Sequence, residues 1–322
     1  MRAIEVTAHG GPEVLTLVER PEPTAGTGEV VVDVHVAGVN FIDTYLRSGL
    51  YPSVPPYVPG GEGAGTVRAV GEGVTTVTVG DRVAWCDGAA SYAEQAVLRA
   101  DRAVKLPDTV TFEQAGSSLL RGLTTHYLLD GSAFPKAGDT VLLHAGAGGV
   151  GLLLTRWATS RGVRVITTVS TDAKEELSRE AGAAEVLRYD DDIVARVREL
   201  TDGRGAPVVY DGVGAATFEQ SLQCTAVRGT IVLFGAASGP VPPFDLQRLN
   251  PAGSLSVTRP TLAHFISDPA EFAWRADAFL SAVASGLLPV NIGQSFDLAA
   301  AGDAHRALEA RTTVGSTMLN VV

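Results

Sequence analysis

The feature that most constrains how this chain can fold is the glycine-rich segment at 146–151, GAGGVG, which has the spacing G-x-G-x-x-G. An apolar run (VLLHA, 141–145) precedes it, a helical pattern (Leu152–Ala158) follows it, and a second β-rich run (Val163–Val169) comes next. Strand, glycine turn, helix and strand in this order are the context in which the motif binds a dinucleotide. Its glycines permit the tight turn, the approach of backbone to a pyrophosphate and close helix–strand packing, while the helix N-terminus attracts phosphate. The candidate cofactor residues of this turn are Gly146, Gly148, Gly149, Val150 and Gly151.

Composition sets the broad limits. A chain of 322 residues exceeds one typical core, so two domains are expected. No window offers about 18 uninterrupted apolar residues, and the start, MRAIEV, is typical of a β-strand rather than a signal peptide. Cys86 and Cys224 are too few for a disulfide framework, which favours a reducing cytoplasm. A formal charge of −11 disfavours nucleic acid and anionic membranes as partners.

The pattern of the chain changes after about a third of its length. The first hundred residues contain short β-rich runs, punctuated by glycine and proline, which predict a barrel or sandwich. These runs are Glu29–Val36, Gly65–Val70 and Arg82–Trp85. From Phe112 onward helical patterns alternate with strands, which predicts a doubly wound parallel sheet with its ligand at the carboxyl ends of the strands. The helical patterns are Phe112–Leu129, Ala173–Ala181, Ile193–Thr201 and Ala270–Ser285, and the β-like runs are Val208–Tyr210, Thr230–Phe234 and Ser316–Val322. The fold class is therefore α/β.

The end of the second strand bears on the choice of cofactor. NAD-preferring folds place an acid there for the ribose 2′-hydroxyl, but this strand ends TTVST (167–171), without a carboxylate at its tip. Ser170 and Lys174 offer a hydroxyl and a cation, which suit a 2′-phosphate. The residues alone leave the choice open, because Lys174 can equally be a solvated lysine and a small shift of the turn would bring Asp172 toward the ribose.

Segments in one order, almost end to end, carry a resemblance to a known family. They are HGGPEVL (9–15), GVNFIDTYLRSGLYP (38–52), VGDRV (79–83), FEQAGSSLLRGLT (112–124), HAGAGGVG (144–151), VVYDGVG (208–214), GSLSVTRP (253–260) and ARTTVGS (310–316). With them the chain resembles the zinc-free quinone oxidoreductases, the zeta-crystallin-like group of the medium-chain dehydrogenase/reductase superfamily. The resemblance implies a GroES-like β-barrel catalytic domain (1–123, completed by 261–322) and a Rossmann domain (124–260). It also implies NADPH as the cofactor and a homodimer formed through the edge of the Rossmann sheet.

Zinc alcohol dehydrogenases of this superfamily hold a catalytic zinc with a cysteine, a histidine in Gly-His-Glu and a later cysteine or aspartate. The corresponding segments here are NFID (40–43) and GGE (60–62), which lack the Cys and the His, and the six histidines show no close ligand spacing. The sequence therefore predicts no zinc. Reducing a simple aldehyde leaves an alkoxide that needs a Lewis acid. A reduced quinone is aromatic and weakly basic, so positioning and a few hydrogen-bond donors suffice.

The candidate catalytic residues are Asn40, Asp43, Tyr45 and Tyr51. From the residues alone, Asn40 and Asp43 can be caps of a helix that begins near Phe41, and the two tyrosines can pack in the barrel. The resemblance places all four in the substrate cleft, with the tyrosines facing a flat acceptor ring and Asn40 binding its oxygen. The resemblance also implies a second possible role for Tyr51. In related enoyl-thioester reductases, a tyrosine before proline in G-x-Y-P donates a proton to a reduced double bond.

The resemblance implies further cofactor positions. Besides the glycine turn, they are Phe41, Thr44, Tyr127, Ser170, Lys174, Tyr189, Gly214, Ala236, Thr261, Leu262 and Arg311. Tyr189 would contact the adenosine 2′-phosphate or the adenine, and the guanidinium of Arg311 suits phosphate. Glu62 is expected to be structural or to relay a proton, Arg259 to hold the domain junction, and the two cysteines to fill space.

The sequence thus predicts a cytoplasmic NADPH:quinone reductase without metal. The alternative within the same chemistry is an NADPH-dependent reductase of activated C=C bonds, such as enones, alkenals or enoyl thioesters, with Tyr51 as proton donor. The alternative of another class is an NADPH-binding structural or sensory protein without meaningful turnover.

Overall fold

The computed structural model describes residues 1–86 and 90–321, which form two compact units. One unit, the barrel unit, joins Met1–Leu123 to the described chain from Asp268 onward, and the other, the sheet unit, is Thr124–Ser267. The second boundary thus falls at Asp268, whereas the sequence placed it at 261. Inside the sheet unit, Phe265 stacks on Tyr127 with centroids 4.5 Å apart and an interplanar angle of 3°.

Strands and helices follow one another along the whole described chain. The strands are β1 (Arg2–Val6), β2 (Leu15–Glu19), β3 (Glu29–Val39), β4 (Glu62–Val70), β5 (Arg82–Cys86), β6 (Gln95–Arg99), β7 (Val104–Lys105), β8 (Thr140–Leu143), β9 (Arg164–Val169), β10 (Glu185–Arg188), β11 (Ala206–Asp211), β12 (Thr225–Leu233), β13 (Ser256–Thr258), β14 (Ile292–Asp297) and β15 (Ser316–Asn320). The helices are α1 (Phe41–Ser48), α2 (Phe112–Gly116), α3 (Leu119–Tyr127), α4 (Gly149–Ser160), α5 (Asp172–Glu180), α6 (Ile193–Leu200), α7 (Phe218–Cys224), α8 (Leu262–Phe265), α9 (Pro269–Ala284) and α10 (Ala301–Glu309). In the described parts of the chain, no helix is long and apolar enough to cross a bilayer.

The barrel unit is built around β3. Its valines at 30, 32 and 34 are fully buried, since alternate residues of a strand face one side. The main sheet runs β14-β15-β3-β4-β5-β7, and β6 also pairs with β3. The last strand, β15, lies antiparallel to β3, with Leu319 opposite Ala37. The end of the chain therefore completes the sheet that its beginning started, as expected for a GroES-like domain.

The sheet unit contains a parallel sheet in the order β10-β9-β8-β11-β12-β13. Its central strand β8 is mostly apolar, as a parallel strand covered on both faces should be: Val141, Leu142 and Leu143 have no exposed surface. The chain winds outward from β8 to β9 on one side and later adds β11 on the other. The carboxyl ends of β8 and β11 therefore border the crevice where doubly wound sheets bind ligands. The α/β fold class predicted from the sequence is confirmed.

The helical pattern of Phe112–Leu129 is interrupted in the structure, because α2 ends at Gly116 and α3 starts at Leu119. The hydroxyls of Ser117 and Ser118 bond back to the carbonyls of Glu113 and Gln114, which lets the backbone leave the helix between the two segments.

Candidate functional site

The glycine turn after β8 is the first part of the candidate site. A Cβ added to Gly146 would lie 2.5 Å from Cβ of Thr167 on β9, and one added to Gly151 would lie 2.4 Å from the Ala145 carbonyl oxygen. Packing against the next strand and against the turn itself therefore requires these two glycines. Around Gly148, by contrast, only the Ala145 oxygen, at 3.2 Å, comes within 4 Å of an added Cβ. The backbone is thus open to a ligand at the middle glycine.

Helix α4 starts directly at this turn. Its N-cap is Gly148, so no side chain caps the first backbone N–H groups. These donors and the positive end of the helix dipole suit an anion. The open backbone and the uncapped helix end together fit a pyrophosphate.

The ends of β9 and β10 bring the predicted Ser170 and Lys174 together. Lys174 Nζ lies 3.5 Å from Ser170 Oγ. Arg188, the last residue of β10, donates to Asp172 Oδ1 at 3.0 Å and to the Ser170 carbonyl oxygen at 3.0 Å. The acid that complicated the choice of cofactor is therefore paired with a guanidinium. Sequence reasoning missed Arg188, because the short strand β10 was not predicted.

Tyr189 follows β10 and bonds to the glycine turn. Its hydroxyl accepts the N–H of Ala145 at 3.0 Å, and its ring lies near-parallel to the imidazole of His144, with centroids 6.4 Å apart. His144 Nδ1 is 2.9 Å from Thr168 Oγ1, and burial lowers the pKa of this imidazole. Tyr189 thus stabilises the glycine turn. Its contact with a 2′-phosphate or adenine stays a prediction.

Gly214 and Ala236 meet at the ends of β11 and β12. A Cβ on Gly214 would lie 2.6 Å from the Gly239 oxygen and 3.2 Å from Cα of Ala236. The N–H groups of Val213 and Gly214 donate to Asp211 Oδ1 at 2.9 and 3.0 Å. Asp211 therefore holds this second glycine loop, a role the sequence did not suggest.

Three other predicted cofactor residues lie where α3 and α8 touch. Tyr127 is buried on Phe265, and burial raises the pKa of its phenol. Thr261 is the N-cap of α8 and Leu262 its first residue.

In the barrel unit, Asn40 and Asp43 stand at the start of α1. The N–H of Asn40 donates to Asp43 Oδ2 at 2.8 Å, so Asp43 caps the helix entry as expected. The Asn40 side chain donates from Nδ2 to Glu62 Oε1 at 2.7 Å. Glu62 Oε2 accepts the N–H of Leu120 at 2.7 Å, and a Cβ on Gly38 would lie 2.2 Å from Oε1. Glu62 thus orients Asn40.

Asp43, Glu62 and Arg121 form a buried charge cluster, exposed by 1%, 0% and 6%. Burial raises the pKa of Asp43 from its usual 3.8 to about 7, and burial likewise raises the pKa of Glu62. Arg121 donates to the carbonyls of Ser117 and Val39 at 2.6 and 2.7 Å, and burial lowers its pKa. Both carboxyl groups are coupled electrostatically to this guanidinium, and near neutral pH Asp43 is poised between its protonated and ionised forms. Arg121 is a member of the cluster that the sequence analysis did not single out.

Phe41, Tyr45 and Tyr51 form a half-buried group of rings on α1 and the turn after it. The Tyr45 and Tyr51 centroids are 5.2 Å apart at 56°, and those of Phe41 and Tyr45 are 6.2 Å apart at 35°. Thr44 donates its hydroxyl to the Phe41 carbonyl at 2.8 Å. The rings are tilted against one another, and each offers an aromatic surface on which a planar acceptor can stack.

Arg311 lies just beyond α10. Its φ of +57° is in the left-handed region, and its N–H bonds to the Leu308 carbonyl at 3.0 Å, a C-terminal cap usually made by glycine. Its contact with the cofactor stays a prediction. Among the described residues, no three His, Cys, Asp or Glu side chains form a group that could hold a metal ion.

Comparison with known proteins agrees with this geometry. The model for the alcohol dehydrogenase GroES-like domain matches residues 26–108, and that for zinc-binding dehydrogenases matches residues 149–280. A quinone oxidoreductase of Pseudomonas aeruginosa is 48% identical over 99% of both chains, and a 2-haloacrylate reductase of a Burkholderia species is 37% identical over 96% of both. A mycobacterial protein solved in complex with NADPH is 55% identical, with a TM-score of 0.97 and full coverage of both chains. The chain therefore belongs to the quinone oxidoreductase family of the medium-chain dehydrogenase/reductase superfamily.

Proposed function

We propose that this protein reduces quinones with NADPH and without a metal. The observation that carries the proposal is the arrangement at the ends of β9 and β10. There the Lys174 ammonium lies beside the Ser170 hydroxyl, and the nearby acid, Asp172, is bonded to Arg188. A hydroxyl and a cation beside an acid that is paired with a guanidinium favour a 2′-phosphate over a bare 2′-hydroxyl. The NADPH complex of the mycobacterial relative supports the same choice.

The sheet unit would hold the cofactor. The backbone of Gly146, Gly148, Gly149, Val150 and Gly151 would receive the pyrophosphate, and Ser170, Lys174 and Tyr189 the adenosine end. The further lining positions are Phe41, Thr44, Tyr127, Gly214, Ala236, Thr261, Leu262 and Arg311. When bound, NADPH supplies the hydride.

The barrel unit would orient the acceptor. Tyr45 and Tyr51 offer a ring surface, and the Asn40 amide, fixed by Glu62, offers a donor to a quinone oxygen. Asp43 lies one turn into the same helix and titrates near pH 7, which suits a group that supplies a proton to a weakly basic product oxygen. These residues position an acceptor and need only weak stabilisation of its oxygen, as a quinone requires.

Steady-state assays test the proposal directly. NADPH and NADH are each compared with 1,4-benzoquinone, a naphthoquinone, alkenals and enoyl thioesters, and metal content is measured on the same purified material. We expect quinone turnover with a preference for NADPH and without stoichiometric zinc. Tight NADPH binding with no turnover of any acceptor would instead support the structural or sensory alternative.

The second candidate is the reduction of activated C=C bonds, and two observations favour it. The 2-haloacrylate reductase relative is similar over nearly the whole chain. Tyr51 lies in the ring group of α1, where its hydroxyl could act as an acid. Under this candidate Tyr51→Phe abolishes turnover of alkenals, whereas under quinone reduction it causes only a modest loss, so the two activities of one variant separate the candidates.

We further infer a homodimer through the edge of the parallel sheet and a cytoplasmic location. Strand β13 is the last in the sheet order, and Val227 and Leu246 of the same unit are 73% and 70% exposed. Both cysteines are buried thiols, in keeping with a reducing compartment. Light scattering should give twice the 33.4 kDa mass of one chain.

A further inference from the structure

A chain of hydrogen bonds connects the helix that starts at Asn40 with the last helix of the chain. Asp43 and Arg47 lie one turn apart on α1, and His305 and Glu309 lie one turn apart on α10. Arg47 donates to Glu309 Oε1 at 2.5 Å and approaches His305 Nδ1 at 3.3 Å. Tyr92 bridges the two helices, since its hydroxyl lies 3.1 Å from His305 Nε2 and 3.3 Å from Asp43 Oδ2.

The chemistry of the end groups determines the direction of every bond. A guanidinium can only donate, so His305 Nδ1 must accept from Arg47. Burial and the charge of Arg47 lower the pKa of His305 from 6.5 to about 3, so the imidazole is neutral and its proton is on Nε2. Nε2 then donates to the Tyr92 oxygen, which leaves the phenolic proton for Asp43. All donors point from Arg47 toward Asp43.

We propose that Tyr92 and His305 are positioning residues for Asp43: the donor chain Arg47→His305→Tyr92 holds Oδ2 as an acceptor, so that the exchangeable proton of this carboxyl resides on Oδ1. Asn40 contributes a second donor to the same oxygen, its backbone N–H at 2.8 Å. A carboxyl with both donors on one oxygen has a defined free oxygen, which gives any proton transfer a fixed direction. The last helix thereby acts on the candidate acceptor site through Arg47 and Tyr92.

Other groups also face Asp43, and they set its titration together with the chain. Glu62 of β4 raises its pKa by like charge, and Arg121 of α3 lowers it. Tyr57 couples to Asp43 electrostatically from the loop before β4. Burial has the largest effect, and the hydrogen bond from Tyr92 opposes it. Removing that bond should therefore raise the pKa of Asp43.

The test follows the titration of Asp43 in three variants of the full chain. Protein carrying ¹³C at the aspartate Cγ is titrated by NMR, with Asp43→Asn to assign the signal, and the pH profile of kcat/KM with a quinone is measured in parallel. Tyr92→Phe should raise the pKa of Asp43 by about one unit. His305→Leu should raise it by less, and His305→Gln should restore it, because glutamine keeps a donor toward Tyr92.

Tyr57→Phe is the matched control, since Tyr57 is a second tyrosine that couples to Asp43 electrostatically but is not among the groups that hydrogen-bond to the Asp43 carboxyl in the described structure. An unchanged Asp43 signal in Tyr92→Phe, or the same shift in Tyr57→Phe, would overturn the inference. If His305→Gln behaves like His305→Leu, His305 fills space only and its part in the inference is wrong. The inference rests on the proposed role of Asp43, but the two can fail separately: an NMR shift without a change in the kcat/KM profile supports the donor chain and removes Asp43 from the reaction.

Discussion

Two polar clusters of this protein contain the same residue types in opposite surroundings. At the ends of β9 and β10, Arg188 binds Asp172, whose side chain is fully exposed at 104%. In the barrel unit, Asp43 and Arg121 are almost completely buried. Water screens the Arg188–Asp172 pair, so this ion pair contributes at most about 1 kcal/mol to stability. Its residues can therefore contribute to ligand specificity without a large effect on the fold. Because the second cluster is buried, removing one of its members should lower the free energy of unfolding strongly. Burial also shifts the pKa values of its ionisable groups.

The sharpest test of this contrast removes Glu62 from the buried cluster. Glu62→Ala removes the acceptor of the Asn40 amide and of the Leu120 N–H, and it takes away one of the two carboxyl groups coupled to the Arg121 guanidinium. We expect the free energy of unfolding to fall by about 3–5 kcal/mol. Urea denaturation measures the loss, and Asp172→Ala is the exposed control, expected to change stability by less than about 1 kcal/mol. Equal losses in the two variants would contradict the contrast.

The pH dependence of stability separates two buried groups with opposite shifts. The raised pKa of Asp43 means that the folded state binds the extra proton between pH 3.8 and about 7, so its contribution to stability falls as pH rises. The lowered pKa of His305 means that the unfolded state binds the extra proton between about 3 and 6.5, so its contribution rises with pH.

In the shared window the two slopes cancel in the wild-type protein. Asp43→Asn should make stability rise more steeply with pH, by about 1.4 kcal/mol per unit, and His305→Gln should make it fall by a similar amount. The double variant should return to the wild-type slope. Denaturation midpoints measured between pH 4.5 and 6 check this, and parallel slopes in all variants would show that neither group titrates as described.

In the exposed cluster, Lys174→Glu should act on the cofactor and leave the fold intact. Reversing this charge beside Ser170 should weaken NADPH binding by at least about tenfold, since a charge-assisted bond to phosphate is lost, and change NADH binding little. Isothermal titration with both cofactors measures the effect. Lys136→Glu, an exposed lysine of the same unit, is the control. Equal weakening of NADPH and NADH would refute the assignment of the 2′-phosphate site.

The smallest expected effect concerns Arg188. Arg188→Gln removes the partner of Asp172, so that this carboxylate repels a 2′-phosphate. We expect the preference for NADPH over NADH to fall about three- to tenfold, which corresponds to the free energy of an exposed ion pair together with the loss of one positive charge. Adding Asp172→Asn should recover part of the preference. High salt should shrink the difference. If the second substitution recovers nothing, Arg188 acts on the phosphate alone or not at all.

Local patterns were enough for much of the fold. The glycine spacing, the apolar runs around it and the alternating valines of β3 predict their elements because each depends on neighbours a few residues away. Strands β10 and β13 are too short and too polar for such a signal. The break between α2 and α3 depends on serine hydroxyls that compete with the helix, which a propensity pattern does not resolve.

The sequence by itself determined the parallel sheet, the glycine turn and the helix at Phe41, because spacing along one chain carries that information. Its resemblance to a known family then pointed to Asn40, Asp43, Ser170 and Lys174 as candidate site residues. Only the tertiary structure decided which polar groups lie together. Arg188 binds Asp172, Arg121 lies near two carboxyl groups, and His305 lies beside Tyr92, from which it is 213 positions away in the chain. The physical reason is that the pKa of an ionisable side chain depends on its burial and on its neighbours, and these neighbours come from distant segments that folding brings together.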